Sequence, residues 1–355
     1  MKTIVTITGI RPDFIRMSEI FKQLDNQNWC NHILIHTGQH YDKLLSDVFF
    51  QDLQIRQPDY NLGIGSAGKK HYHQQSELGV KIIELFEKEN IKPDLVLFLG
   101  DSNSVLASVP LRKEGYKIGH IEAGMRSYDE RMLEEINRKV CDHVSNYLFV
   151  YHDNYKQKAV KEGISEEKIF VVGNTIVEPL MKIADLNYVG KKSHILLDIH
   201  RPENFKDKER IEKIIKFANI CIEKTEKPVK MINFPRTIQY LSEYQIDIGK
   251  IEMIDLMGYK TFVRFMQDSQ FIISDSGTAQ EEPALLKIPV IVPRDFTERP
   301  ESIQNNNSFM LNLMDDNSFS KSIDWALRNP QSSKEWLGEG NTSLKIMHIL
   351  KNLLD

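Results

Sequence analysis

Residues 2–24 read KTIVTITGIRPDFIRMSEIFKQL, and this stretch sets the expectation for the whole chain. The run 3–8 is short and apolar without a strict alternation, as in a strand covered on both faces of a parallel sheet. A Gly9-Ile10-Arg11-Pro12 turn follows. Phe14, Met17, Phe21 and Leu24 then recur at helical spacing, with Pro12 at a suitable helix start. Strand, polar turn and amphipathic helix make one βα unit.

The same unit recurs downstream. Candidate strands in the first half are 3–8, 32–36, 95–99, 118–121, 147–151 and 169–172. The stretch 186–193 (LNYVGKKS) is polar, contains Gly190 and reads as a linker. The pattern then restarts at 195–199, 229–232, 251–254, 271–274 and 290–292, and the tail from 319 to 355 reads as helices. Two successive βα series imply an α/β protein with two Rossmann-like, doubly wound parallel-sheet domains. The expected divisions are 1–186, 194–335 and a C-terminal helix, 336–355, returning to the first domain.

Composition narrows the function. The chain has 355 residues, 41% apolar and 27% charged, with a formal net charge of −4 and no dominant basic stretch, which argues against nucleic acid as partner. Cys30, Cys141 and Cys221 are far apart, without metal-ligand spacing, so no metal is expected. Reduced thiols and the lack of a signal-peptide pattern predict a cytoplasmic protein. No apolar stretch approaches a membrane span.

Ligands of open α/β sheets sit beyond the carboxyl ends of the strands. The residues following the predicted strands are polar, small or charged: Gly9–Pro12, Thr37-Gly38-Gln39-His40, Gly100-Asp101-Ser102, Glu122-Ala123-Gly124, Gly173-Asn174-Thr175, His200–Asn204 and Asp275–Thr278. Seven such motifs in one topological place predict a ligand cleft between two domains. Asp275-Ser276-Gly277-Thr278 reads either as a phosphate cradle or as a cap and tight turn. Arg11 offers a fixed planar cation or lies solvated at a helix start. Asp101 reads as an active-site carboxylate or as a cap, whereas Glu122, between small neighbours, favours function. Glu134 and Glu135 have a second explanation as first-turn acids facing a helix dipole. Converging carboxylates, with His200 titrating near neutrality, suit acid/base chemistry.

Taken in order, GIRPDFIRM, HTGQHYD, GDSNSVLA, GHIEAGMRS, EEINR, GNTIVEPL, HRPEN, SDSGTAQEEP and TERPE, from Gly9 to Glu301, resemble the non-hydrolysing UDP-N-acetylglucosamine 2-epimerases, a branch of the GT-B fold. The resemblance implies catalytic roles for Asp101, Glu122, Glu134 and His200. It implies nucleotide contacts at Arg11, Phe262, Ser276 and Glu282, with Gly277 shaping the phosphate turn and Arg201 and Arg299 as further cleft residues. It also implies a UDP-linked N-acetylamino sugar as substrate, no cofactor, and a homodimer. The chemistry it implies is elimination of UDP across C1–C2 of the sugar, then re-addition with the C2 proton on the other face.

Departures from the family pattern fall at Ile10, Asp13, Leu133, Pro202 and Thr278. The GDSNS and 127–131 segments look closer to relatives acting on UDP-2,3-diacetamido-glucuronate or a 6-deoxy-aminosugar. The positions for an activating second UDP-sugar differ at Asp42 and within 231–235, so no activator requirement is expected. Competing readings are a hydrolysing 2-epimerase, a GT-B glycosyltransferase and a non-catalytic nucleotide-sugar sensor.

Overall fold

The computed structural model describes residues 1–38, 50–65, 71–328 and 333–355. Gln39, His40 and Asp42 lie outside the described residues. The chain divides into two compact units, Met1–Pro179 with Leu337–Asp355, and Leu180–Trp336.

Unit 1 holds a seven-stranded parallel sheet. Its strands are β1 (Lys2–Thr8), β2 (Cys30–His36), β3 (Tyr60–Asn61), β4 (Leu95–Leu99), β5 (Ile118–Ala123), β6 (Tyr147–Val150) and β7 (Ile169–Val171), in the order β3-β2-β1-β4-β5-β6-β7. β1 pairs with β2 along its length, Lys2 against Cys30 and Thr8 against His36, and with β4 from Ile4 against Leu95. Val5, Val96 and Phe98 pack on Leu78, Ile82 and Phe86 of the helix His71–Lys88. The other face of the sheet is also covered, which is why β4 reads LVLFL, apolar throughout and wholly buried.

Unit 2 holds a six-stranded parallel sheet: β8 (His194–Asp198), β9 (Val229–Ile232), β10 (Glu252–Ile254), β11 (Ser269–Ser274), β12 (Val290–Val292) and β13 (Ser308–Met310). Its order, β10-β9-β8-β11-β12-β13, repeats the doubly wound pattern of the first six strands of unit 1. Ile195, Leu197 and Ile273 pack on Phe217, Ala218 and Cys221 of the helix Lys208–Thr225. Two strands, β3 and β13, have no counterpart among the sequence expectations. They are two and three residues long, too short to carry a periodic signal.

The last helix, Thr342–Leu354, belongs to unit 1 and packs on the helix Arg11–Asp25. It buries Ile346, Met347, Leu350 and Leu354. Its start is fastened by Ser343, whose backbone N–H and hydroxyl donate to Glu178 at 2.8 and 2.6 Å. The polar stretch 186–193 lies in unit 2. Lys191 N–H donates to the Asp268 carboxylate at 3.0 Å, and Ser193 N–H to the Asp268 carbonyl at 2.8 Å. Among the described residues no helix is long and apolar enough to cross a membrane.

His194 opens β8 with only 2% of its surface exposed, its ring 4.0 Å from that of Phe265. Burial, with Lys230 nearby, pushes its pKa down to about 4. The unfolded chain therefore binds a proton that the folded unit refuses, and stability contributed by the neutral ring is complete above about pH 6.5 and lost as pH falls toward 4. We expect acid to destabilise the protein over this window by up to about 3 kcal/mol from this group. Urea titrations of wild type and His194→Gln at pH 7 and pH 5 test this; equal losses in the two proteins would remove His194 as the cause.

Candidate functional site

Both sheets change winding direction between two central strands, β1 and β4 in unit 1, β8 and β11 in unit 2. The turns after those strands form the candidate sites.

In unit 1, β1 runs into Gly9, Ile10 and the helix Arg11–Asp25, with half-buried Arg11 as its first residue. Asp13 reaches back to accept from the N–H of Gly9 at 3.0 Å and of Ile10 at 3.2 Å, which fixes the turn. Burial pushes the Asp13 carboxyl up to about 7, the two N–H bonds pulling the other way. Across the switch point β4 ends, Gly100 turns at φ +74°, and Asp101 projects beyond the strand. Arg138, from the helix Leu133–Val144, donates to the Asp101 carboxylate, and Asn137 Nδ2 donates to its carbonyl at 2.9 Å.

Glu122 sits one residue from the end of β5 with φ +67°, a left-handed conformation that costs a non-glycine residue about 1–2 kcal/mol. The β5–β6 register shifts between Ile121 and Ala123, so Glu122 occupies a bulge. The bulge re-aims its side chain. Glu122 is buried, pairs with the equally buried Arg16, and accepts from Tyr151 Oη at 3.0 Å. Strained backbone of this kind persists only where its surroundings hold it, as Arg16 and Tyr151 do here. A Cβ placed on Gly100 would stand 3.9 Å from Glu122 Oε1, so the turn carrying Asp101 adjoins the Glu122 carboxylate.

The paired glutamates of the helix Leu133–Val144 divide their work. Glu134 is half-buried at the sheet's carboxyl edge. Glu135 is buried and accepts from Ser127 N–H at 2.9 Å, Ser127 Oγ at 3.0 Å, Tyr128 N–H at 3.2 Å and Arg138 at 3.0 Å. It therefore holds the 127–128 turn, and Arg138 joins it to Asp101. The sequence pattern points to neither Arg138 nor Tyr151. The Glu135/Arg138 spacing of three was the one available signal, and it is common on helices.

In unit 2 the central group is Asp275, fully buried after β11. Its carboxylate accepts from His200 N–H at 3.0 Å, Arg201 N–H at 3.1 Å and Asn204 Nδ2 at 3.0 Å. Asp275 thus shapes the HRPEN loop after β8 rather than facing outward. His200 Nδ1 lies 3.0 Å from Asp198 and 3.6 Å from Asp275, and about a third of the side chain (34%) is exposed. Burial opposes a charge on this ring, but Asp198 and Asp275 outweigh it and raise its pKa above the ordinary histidine value. With Nδ1 committed to carboxylates, Nε2 is the nitrogen left to act. Phe234, within the segment 231–235, sets its ring 5.1 Å from that of His200, tilted by 52°.

Ser276 and Gly277 follow Asp275. Ser276 is half-buried, its N–H held by Ser274 Oγ at 3.0 Å. Gly277 lies against Arg299, whose guanidinium is buried and paired with Glu281 and Glu298, each at 2.8 Å. Arg201 comes to 3.9 Å of the same Glu298. Glu282 is buried and accepts from Tyr259 Oη at 2.6 Å, and half-buried Phe262 sits one turn along the helix that Tyr259 begins, Tyr259–Gln267. Arg11, Asp101, Glu122 and Glu134 therefore lie at the carboxyl edge of one sheet. His200, Arg201, Ser276, Gly277 and Arg299 lie at the switch point of the other.

Two doubly wound parallel sheets with polar, charge-rich switch points define an α/β protein of the GT-B type. The family model of UDP-N-acetylglucosamine 2-epimerase matches residues 22–351. The chain is 36% identical to the UDP-N-acetylglucosamine 2-epimerase of Methanococcus maripaludis, over 99% of this chain and 98% of that one. It is 37% identical to that of Methanocaldococcus jannaschii, over 97% of each. The crystal structure of Methanocaldococcus jannaschii UDP-GlcNAc 2-epimerase in complex with UDP-GlcNAc and UDP is similar with a TM-score of 0.90 at 34% identity, covering 99% of this chain and 100% of that one. The chain belongs to the UDP-N-acetylglucosamine 2-epimerase family.

A Cβ on Gly277 would clash with Arg299 Nη1 and stand 2.9 Å from Glu298 Oε1. Both groups are fixed by ion pairs, so the contact cannot be relieved by rotating one free side chain. Gly277→Ala is expected to cost about 1–3 kcal/mol by overpacking and to distort the turn. Thermal unfolding checks this, and an unchanged melting temperature would mean that the Arg299 cluster moves aside freely.

Proposed function

We propose that the chain interconverts UDP-GlcNAc and UDP-ManNAc by elimination and re-addition of UDP. A base removes the C2 proton, the C1–O bond breaks with its electron pair leaving on UDP, and a C1=C2 double bond forms. Re-addition returns UDP to C1 and delivers a proton to the opposite face of C2. We assign the acid/base work to Asp101, Glu122, Glu134 and His200. We assign nucleotide binding to Arg11, Arg201, Phe262, Ser276, Gly277, Glu282 and Arg299, with Arg299 and Gly277 acting through the shape of the turn. Elimination needs a group that takes the C2 proton, stabilisation of departing diphosphate, and a group that returns the proton.

The observation that carries this reading is Glu122: a buried carboxylate held at positive φ between Arg16 and Tyr151, beside the turn that bears Asp101, in a chain matched over nearly its whole length to the epimerase family. A transferase would need an acceptor for the sugar, whereas a pair of acids around a glycosyl C2 serves inversion without one. Three unbridged, buried cysteines support a cytoplasmic setting, and family membership is the ground for a homodimer as the working form.

Proton NMR of UDP-GlcNAc with the purified chain and no acceptor is expected to show UDP-ManNAc accumulating to a mixture. In deuterated water the product should carry deuterium at C2. Unchanged UDP-sugar without acceptor, full retention of C2 protium, or activity that depends on added NAD would each overturn the mechanism. A panel including UDP-2,3-diacetamido-glucuronate and 6-deoxy-aminosugars reports the preferred substituents.

Asp101→Asn, Glu122→Gln, Glu134→Gln and His200→Ala are each expected to lower turnover at least about tenfold, roughly 1.4 kcal/mol of transition-state stabilisation, in folded protein. Near-normal kcat in any one of them would remove that residue from the assignment.

A further inference from the structure

We propose that His120 is a positioning residue: a buried imidazolium that ties the turn carrying Asp101 to the turn that follows Glu122. The functional part of this inference rests on the activity proposed above.

His120 lies in the middle of β5 and its side chain is wholly buried. Nε2 is 2.7 Å from the Gly100 carbonyl oxygen, and Nδ1 is 2.7 Å from Asp142 Oδ1. Asp142, also wholly buried, uses its other oxygen to accept from Gly124 N–H at 3.1 Å and Arg126 Nη1 at 2.7 Å. Arg126 continues to Glu162, with Nε at 2.8 Å and Nη2 at 2.5 Å.

The protonation of the ring follows from its partners. A backbone carbonyl has no hydrogen to give, so Nε2 donates to Gly100. Asp142 accepts from two other donors and an ion-paired carboxylate has no hydrogen to give, so Nδ1 donates as well. A histidine donating from both nitrogens is a cation. The cluster then holds two cations, His120 and Arg126, and two anions, Asp142 and Glu162. That balance is what a buried ionic group requires. Burial works against the charged ring, but the Asp142 carboxylate bonded to it favours the charge, and the ring's pKa is held well above the ordinary histidine value.

The two backbone groups tied by the cluster are the pivots of the candidate site. Gly100, φ +74°, precedes Asp101, and Gly124, φ +75°, ends the turn after Glu122. Neither glycine has a side chain to hold it. The His120–Asp142 pair supplies the missing restraint to both, from inside the sheet, without touching the space beyond the strand ends. Loss of the pair should therefore affect the placing of the carboxylates more than nucleotide binding.

Two substitutions separate the bonds. An asparagine amide reaches the place of Nδ1 and can keep the Asp142 bond, while the Gly100 tie is lost. A glutamine amide reaches the place of Nε2 and can keep the Gly100 tie. His120→Asn is expected to lower kcat at least about tenfold with KM for UDP-GlcNAc within about twofold of wild type, and His120→Gln to recover at least about threefold of that loss. Equal kcat in the two variants, no loss in either, or a change confined to KM would overturn the positioning role. Nitrogen-15 NMR of the wild-type histidine rings is expected to show His120 with two protonated nitrogens at neutral pH and above, and a neutral ring would overturn the inference whether or not the variants fold. If wild type turns over no UDP-sugar, the proposed function fails by itself. His120 is then judged by those ring signals and by whether the Asp101 and Gly124 amide signals shift in His120→Asn but not in His120→Gln.

Discussion

The parallel pairing of β1 with β4, and of β8 with β11, is the constraint from which the candidate sites follow. Parallel strands all end at the same edge of their sheet. At a switch point the loops from the two central strands diverge to opposite faces and leave a gap between them. Whatever follows those strands must occupy that gap. Gly9-Ile10-Arg11 and Gly100-Asp101 occupy it in unit 1, His200-Arg201 and Asp275-Ser276-Gly277 in unit 2. No further local preference is needed to gather them.

Position at a strand end does not fix direction, and here the structure spends buried charge. Glu122 is turned by a bulge and met by Arg16, and Asp101 is met by Arg138, which Glu135 anchors in turn. Arg299 is locked by Glu281 and Glu298 beneath Gly277. Buried ion pairs contribute little net stability, because desolvation consumes most of the attraction. Breaking one is nevertheless costly, since the remaining charge is stranded. Such pairs define a geometry more than they stabilise a fold, which is the property a set of acid/base groups requires.

The sheets were legible in the sequence because their strands are continuous apolar runs: LVLFL at β4 and VIV at β12 admit no exposed face. The strand-end motifs were legible for the topological reason just given. The partners were not. Arg138 lies 37 residues from Asp101, and Asp142 lies 22 from His120. Pairing across such separations is set by how helices return to the sheet, and a single sequence carries no record of it. The sequence reading of Asp275–Thr278 held two meanings, cradle and cap. The Asp275 carboxylate has a place that neither meaning gives it, since it fastens the His200 loop.

The histidines show why residue type alone was a weak guide. His194 and His200 stand in the same strand and the turn after it, six residues apart, and environment drives them in opposite directions. His194 is enclosed beside Phe265 with Lys230 close by, and burial leaves it neutral. His200 is also removed from solvent in part, yet Asp198 and Asp275 reverse the effect of burial and favour its charged form. The two influences oppose each other on such a ring, because burial disfavours its charge and neighbouring carboxylates favour it. Its Nδ1 is engaged by carboxylates that also hold the loop backbone, so the ring's charge and its orientation are set by the same two side chains.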